Sequence, residues 1–472
     1  MRTLDIEQQD GFSSRQIYVI AVAAAAQLID FLDFFLISFV LAYVAKPWHL
    51  TIWESTVILL SSGIGAVLGS FVCGALSDRF GRRPVFLATI TLFAAGTAAL
   101  AFTPEGAWGY VAAVRFIVGF GTTGIYAANI PLLQEFVPSR RRGLVSGIVA
   151  AFIPAGILLG SLVVALAGDQ VGWRGLFIAG ALPAVPLLLA ALPIPESPMW
   201  LASRNRGEDA RRSMAWALNV PIGQVAPAAA AATEPKPVRL AELFKYPRGL
   251  IVSWVGVLGA QTAYYGVTLW APVLLVLLLD VTPARAAFLL IFANLADICG
   301  RLFFSWLSEV SGRRPVGIIQ GLLGAVLLVG TACAAPVFVH GVSLFWLLLI
   351  ACYFVISGGF AVTVPYAAEV WPSRLRASGL GSAYGVGSLG KIIGPLGLGL
   401  FLGSANVLAP SASRETVVPG FIYLAMWLLA TGVVFAMWAF ETRGKSFEEI
   451  DQEVGGGAGA AVAGPEALLG GG

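Results

Sequence analysis

The chain has 472 residues, 58% of them hydrophobic and 12% charged, with a mean hydropathy of +0.84 and a formal net charge of +3. Soluble domains carry about 25% charged residues, so this composition excludes a water-soluble globule and makes the bilayer the natural solvent. The small net charge gives no reason to expect a nucleic-acid partner, and the placement of charge matters more than its sum.

In chain order, residues 1–15 are polar, contain Asp5, Glu7 and Asp10, and lack the pattern of a cleavable signal. A spanning helix needs about 20 mostly apolar residues. Twelve such runs follow, at 16–43, 53–76, 84–102, 108–137, 143–167, 173–192, 249–279, 285–308, 315–335, 341–370, 379–402 and 418–440. They are long and do not alternate. In lipid every backbone polar group must be satisfied within its own segment, so helices are predicted throughout. Span one places Gln27, Asp30 and Asp33 on one face at steps of three. Span four carries a stripe of Arg115, Gly119, Thr122, Tyr126 and Asn129; span five contains Pro154 and Gly156, read as kink and packing features. Residues 193–248 form the longest polar stretch, with an amphipathic segment near 208–218, and divide the spans six and six. Span seven offers Gln261, Tyr264 (or Tyr265), Thr268 and Trp270. Span eight aligns Asn294, Asp297 and Arg301, and span eleven aligns Tyr384, Ser388 and Lys391. The tail at 441–472 ends Gly/Ala-rich, and its end is expected to be disordered.

With the N-terminus inside, the inner segments hold 22 Lys and Arg residues against 4 in the outer segments. By the positive-inside rule both ends are expected to be cytoplasmic. The expected organisation is a cytoplasmic segment 1–15, a six-helix half 16–192, a linker 193–248, a second six-helix half 249–440 and a cytoplasmic tail 441–472. Two pairs of inner turns tie the halves together. "LSDRFGRRPV" from Leu76 returns as "LSEVSGRRPV" from Leu307, and "EFVPSRRRG" from Glu135 returns as "EVWPSRLRA" from Glu369. Two pairs at nearly one spacing indicate an internal repeat. Two parallel six-helix halves related by an axis along the membrane normal are a transporter architecture.

At these residues the chain resembles the major facilitator superfamily. Gly74-Ala-Leu-Ser-Asp78-Arg79-Phe-Gly81-Arg82-Arg83 is similar to its loop signature G-x-x-x-D-R-x-G-R-R. Pro131 to Gly143 fits P-x-x-x-E-x-x-P-x-x-x-R-G; Pro195-Glu-Ser-Pro closes the first half and Glu441-Thr-Arg-Gly-Lys445 the second. The resemblance implies an all-α membrane fold of twelve helices in two pseudo-symmetric halves. Span seven lacks the Q-Q-x-x-G-x-N pattern of sugar porters. Asp30-x-x-Asp33 resembles the paired aspartates of organic-acid/proton symporters of the aromatic-acid and sialate or lactate types, although Phe31-Leu32 stand where the aromatic-acid group has Gly-x. The resemblance implies proton-coupled import of a small organic acid anion. A sugar or polyol symporter and a drug or metabolite antiporter are the alternatives.

An ionisable side chain at the bilayer centre costs roughly 2.5–3.5 kcal/mol on insertion scales, so such groups face a bundle interior or cavity. Six are singled out: Asp30, Asp33, Arg115, Asp297, Arg301 and Lys391. A charged carboxylate is costly in a low-dielectric site and is the group that takes a proton there, which makes Asp30 and Asp33 the proton-coupling candidates. Substrate-binding candidates are Arg115, Tyr126, Tyr264, Trp270, Asn294, Asp297, Arg301, Tyr384 and Lys391: the bases for an anion, the aromatics for its organic body. Asp297 and Arg301 also fit a helix-internal ion pair, and Arg115 fits a structural pin between helices. Asp78, Arg82, Arg83, Glu135, Arg142, Glu309, Arg313 and Glu369 are read as an inner-face gating network that binds no substrate. Cys73, Cys299, Cys333 and Cys352 lie in apolar runs without metal-ligand spacing. No metal, cofactor or enzymatic constellation is expected. The proton gradient is the expected driving force, the lipid bilayer the setting, a prokaryotic inner membrane the location and a monomer the assembly.

Overall fold

The computed structural model describes residues 6, 11–138, 141–225, 240–372, 375–403, 410–443 and 449–450. The end of the tail and part of the linker lie outside them. The chain divides into two compact units, 1–235 with 281–291 and 236–280 with 292–472.

In the first unit α1 (Ser14–Val44), α2 (Ile52–Phe80), α3 (Arg82–Leu100) and α4 (Trp108–Glu135) follow the first four predicted spans. Their starts are specified locally. At α1 the Ser13 hydroxyl accepts from the Gln16 N–H and the Gln16 side chain accepts from the Ser13 N–H, a capping box; Thr51 and Glu54 repeat it at α2. The Gln16 side chain also donates to the Phe136 carbonyl at 2.8 Å, tying the start of α1 to the end of α4. Next, α5 (Arg142–Ala181) runs through spans five and six with a break at Gly172, whose φ of +63° suits glycine. The short α6 (Ala184–Ala191) completes span six. The linker folds into α7 (Pro198–Ser203) and the amphipathic α8 (Gly207–Leu218), which packs Ala215 and Leu218 against Ile6 and Val225.

The second unit contains α9 (Pro247–Leu279), α10 (Pro283–Ser311), α11 (Arg313–Cys333) and α12 (Leu344–Glu369), with the first turns of α10 assigned to the first unit. A two-residue hairpin, β1 (Phe338–Val339) and β2 (Val342–Ser343), joins α11 to α12; Phe338 pairs with Ser343. Within span eleven, α13 (Arg376–Ser388) and α14 (Gly390–Gly403) meet at Leu389, whose backbone stays helical while its N–H shortens its reach to the Val386 carbonyl. The two together make one apolar span, Ser378–Gly403, and Lys391 lies near its middle, as expected. The last helix is α15 (Pro410–Met437). Among the described residues eleven helical segments are long and apolar enough to span; one, 144–191, holds the Gly172 break and covers two predicted spans, so twelve spans fit.

Candidate functional site: two sets of buried charges

In the first unit Asp33 and Arg115 meet. Arg115 Nη1 donates to Asp33 Oδ2 at 2.7 Å, and the Thr97 hydroxyl donates to Asp33 Oδ1 at 3.0 Å. The pair is out of reach of any bulk phase, with side-chain exposures of 1% and 0%. Arg115 retains two buried nitrogens, Nε and Nη2, without a partner among the described residues. Removing one member of such a pair costs about 3–5 kcal/mol, because the other is left as an uncompensated buried charge. Arg115 thus stands with the proton-coupling candidate Asp33. Asp30 is buried in the same helix, and Asn129 donates to the Ala23 carbonyl at 3.2 Å. The Tyr126 side chain lies outside the described residues.

In the second unit Asp297 collects three partners. Arg301 Nε donates to Oδ1 at 3.1 Å, the Tyr264 hydroxyl donates to Oδ2 at 3.0 Å, and the Ser357 hydroxyl donates to the backbone carbonyl at 2.9 Å. The Arg301 guanidinium lies 4.8 Å from the Phe360 ring and 5.5 Å from the Tyr264 ring, within cation–π range. Tyr264 meets Phe360 edge-on at 5.0 Å and Tyr265 edge-on at 5.5 Å, and Lys391 Nζ lies 5.5 Å from the Tyr265 ring. Phe360, Tyr264 and Tyr265 therefore form one aromatic row with a cation over each end. Arg301 keeps 19% of its side chain exposed while Asp297 keeps 1%, so the guanidinium is the accessible member of its pair. Trp270 is fully buried and donates to the Pro395 carbonyl at 3.1 Å, which ties α9 to α14. Asn294 is buried and Tyr384 half-buried.

The basic turns assemble as matched ion-pair clusters, one in each unit. Arg82 pairs with Asp78 at 2.6 Å and approaches Glu135 at 3.5 Å. Arg313 pairs with Glu309 at 2.8 Å and with Glu369 at 2.9 Å. Thr442 adds a hydroxyl to Glu369 at 2.6 Å. Arg83 takes another course and donates to the Leu192 carbonyl at 2.7 Å; Arg142 donates to the Gln134 carbonyl at 2.9 Å.

A third matched pair is carried by Glu196 and Glu441. Glu196 accepts from the Arg82 and Arg83 N–H groups at 2.9 and 3.2 Å, and Glu441 from those of Arg313 and Arg314 at 2.9 and 3.1 Å. Each carboxylate covers the otherwise unsatisfied first N–H groups of a helix and complements its dipole. The preceding glycines, Gly81 and Gly312, have φ of +109° and +100°, and a Cβ on either would collide with the carboxylate. Gly312→Ala is therefore expected to cost about 1–3 kcal/mol and to lower the Tm of the solubilised protein. Gly330→Ala, at a helical position with open space around it, should leave Tm unchanged or raised. Equal Tm values for the two variants would contradict this account of the turn.

Residues 23–395 match the family described as Major Facilitator Superfamily. The niacin transporter of Acinetobacter baylyi is 30% identical over 439 residues, covering 91% of this chain and 95% of its own. The cis,cis-muconate transport protein of the same species is 26% identical over 427 residues, 89% and 93% of the two chains. Among solved structures, the xylose transporter of E. coli superposes with a TM-score of 0.66 at 21% identity over 93% of this chain and 99% of that one.

Proposed function

This chain belongs to the Major Facilitator Superfamily and is a multi-pass membrane transporter, and from that premise we propose that it imports a small organic acid anion, aromatic monocarboxylates foremost, by proton-coupled symport. The observation that carries the reading is the row Phe360–Tyr264–Tyr265 with Arg301 and Lys391 at its ends. Arg301, held in place by Asp297, presents a planar donor set to a carboxylate, and Lys391 supplies a point charge. The rings offer edges and faces to a flat organic body. The relatives named for niacin and for muconate, both organic acids, support the same substrate class. The likeness to a xylose transporter is at 21% identity and is one of fold.

Coupling is assigned to Asp33 and Arg115. A proton on Asp33 cancels the anion that holds Arg115 Nη1, and releases a buried guanidinium to seek another acceptor. Proton binding and rearrangement of the first unit are then linked, and the linkage is reciprocal. The ion-pair clusters at the basic turns belong to the gating motion and bind no substrate. The excess of Lys and Arg in the inner segments supports cytoplasmic termini, and bacterial relatives support an inner-membrane location. The protein acts as a monomer in this account.

Substrate class is tested by counterflow in proteoliposomes, with labelled nicotinate inside and unlabelled nicotinate, benzoate, lactate, muconate or xylose outside. Exchange is expected with the aromatic monocarboxylates and not with xylose. No exchange with any acid would overturn the proposal, and exchange of labelled xylose for unlabelled xylose in the same vesicles would favour the sugar reading.

A further inference from the structure

A cleft of about 550 Å³ opens at the basic-turn end of the first unit, between the turn after α2, the segment 193–196 and helices α7 and α8. Its volume falls in the range of about 300–1,000 Å³ typical of small-ligand sites. Neither the buried Asp33–Arg115 pair nor the aromatic row lines it; of the residues given a role so far, Arg83 and Glu196 do.

Its chemistry favours an anion. Arg83, Arg206 and Arg212 line it, together with the carboxylates of Glu196 and Asp209. Both acids are already engaged. Glu196 accepts from the N–H groups of Arg82, Arg83 and Ser197. Asp209 accepts from Arg206 at 2.9 Å and lies 3.6 Å from Arg212. The cations are not used up in the same way. Arg83 spends Nη2 on the Leu192 carbonyl, yet its Nε is buried without an acceptor. Arg212 keeps 68% of its side chain exposed. One positive charge is left over, three guanidinium groups against two carboxylates, and an anion would balance it. The indoles of Trp200 and Trp216 add flat walls. Phe80, 55% exposed, gives the lining an apolar edge. A residue pattern of this kind suits a group held at headgroup depth.

We propose that this cleft binds a phosphate group through Arg83, Arg206 and Arg212. Phosphate offers three strong acceptor oxygens and more than one negative charge to guanidinium forks, which a single carboxylate does not. The group would belong either to an anionic phospholipid whose chains lie along Phe80, or to a free phosphorylated solute. Occupancy would bridge the basic turn to α8 and restrain the linker against the first unit.

The test uses the full-length protein and hydrogen exchange of peptides covering 78–84 and 193–216. Inorganic phosphate is added to protein in dodecyl maltoside, against chloride at equal ionic strength. Separately, nanodiscs containing phosphatidylglycerol are compared with nanodiscs of phosphatidylcholine alone. Slower exchange of both peptides is expected in one arm. A response to phosphatidylglycerol alone assigns the group to a lipid, and a response to inorganic phosphate alone assigns it to a solute. The Arg206→Gln/Arg212→Gln variant is expected to bind about tenfold or more weakly, with exchange elsewhere in the chain as in the wild type. No slowing in either arm, or slowing that survives in the double variant, would overturn the proposal.

Discussion

Replacing Asp33 by asparagine is expected to abolish uphill, proton-driven accumulation of substrate while exchange across the membrane continues. Asparagine keeps the shape of the side chain and an acceptor for Thr97, which now donates to Oδ1 at 3.0 Å. It removes the charge that faces Arg115 at 2.7 Å and the only chemistry by which this side chain takes up and releases a proton. The cost in stability is about 3–5 kcal/mol, because Arg115 is left buried and unpaired. Loss of activity alone would therefore be ambiguous. The double variant Asp33→Asn/Arg115→Met removes both charges, and pairs of that kind are replaced by apolar groups at little or no cost. It should recover the Tm lost by the single variant without recovering accumulation. If the double variant recovers accumulation too, Asp33 is a structural partner of Arg115 and the proton is carried elsewhere.

Arg301→Gln raises the apparent KM for the acid by about 10–100-fold, which corresponds to losing a charge-assisted hydrogen bond of roughly 1.5–3 kcal/mol. Arg301→Lys is expected to recover little of it, because an ammonium group neither forks onto a carboxylate nor lies as a flat group over the Phe360 and Tyr264 rings. The measurement is the substrate dependence of initial uptake at fixed pH. Phe360→Leu sharpens it. That change keeps an apolar side chain but removes the ring 4.8 Å from the guanidinium, and should weaken aromatic acids more than lactate. A KM unchanged in Arg301→Gln would move the anion site to Lys391.

The repeat and the spans were readable in the sequence for a physical reason. A bilayer demands long apolar runs, and the turns between them concentrate the charged residues, so the matched Asp78–Arg82 and Glu309–Arg313 clusters could be aligned by eye. Pairings between distant segments were not readable. Arg115 fitted either a structural pin or a substrate contact, and only the packing of α1 against α4 brings it to Asp33. Phe360 is one phenylalanine in an apolar helix, and nothing in its neighbourhood of sequence marks it as the residue beneath Arg301. Glu196 and Glu441 stood out as the acids that close each half. Their role depends on the chain folding back over Arg82 and Arg313, more than a hundred residues away in each case.

In the proposed mechanism substrate and proton move inward together. Proteoliposomes loaded with a pH-sensitive dye test it directly, with nicotinate or benzoate added outside and no imposed gradient. The lumen is expected to acidify with wild-type protein, and to stay unchanged with Asp33→Asn and on addition of xylose. Uptake of the acid without acidification, or acidification that persists in Asp33→Asn, would contradict the account.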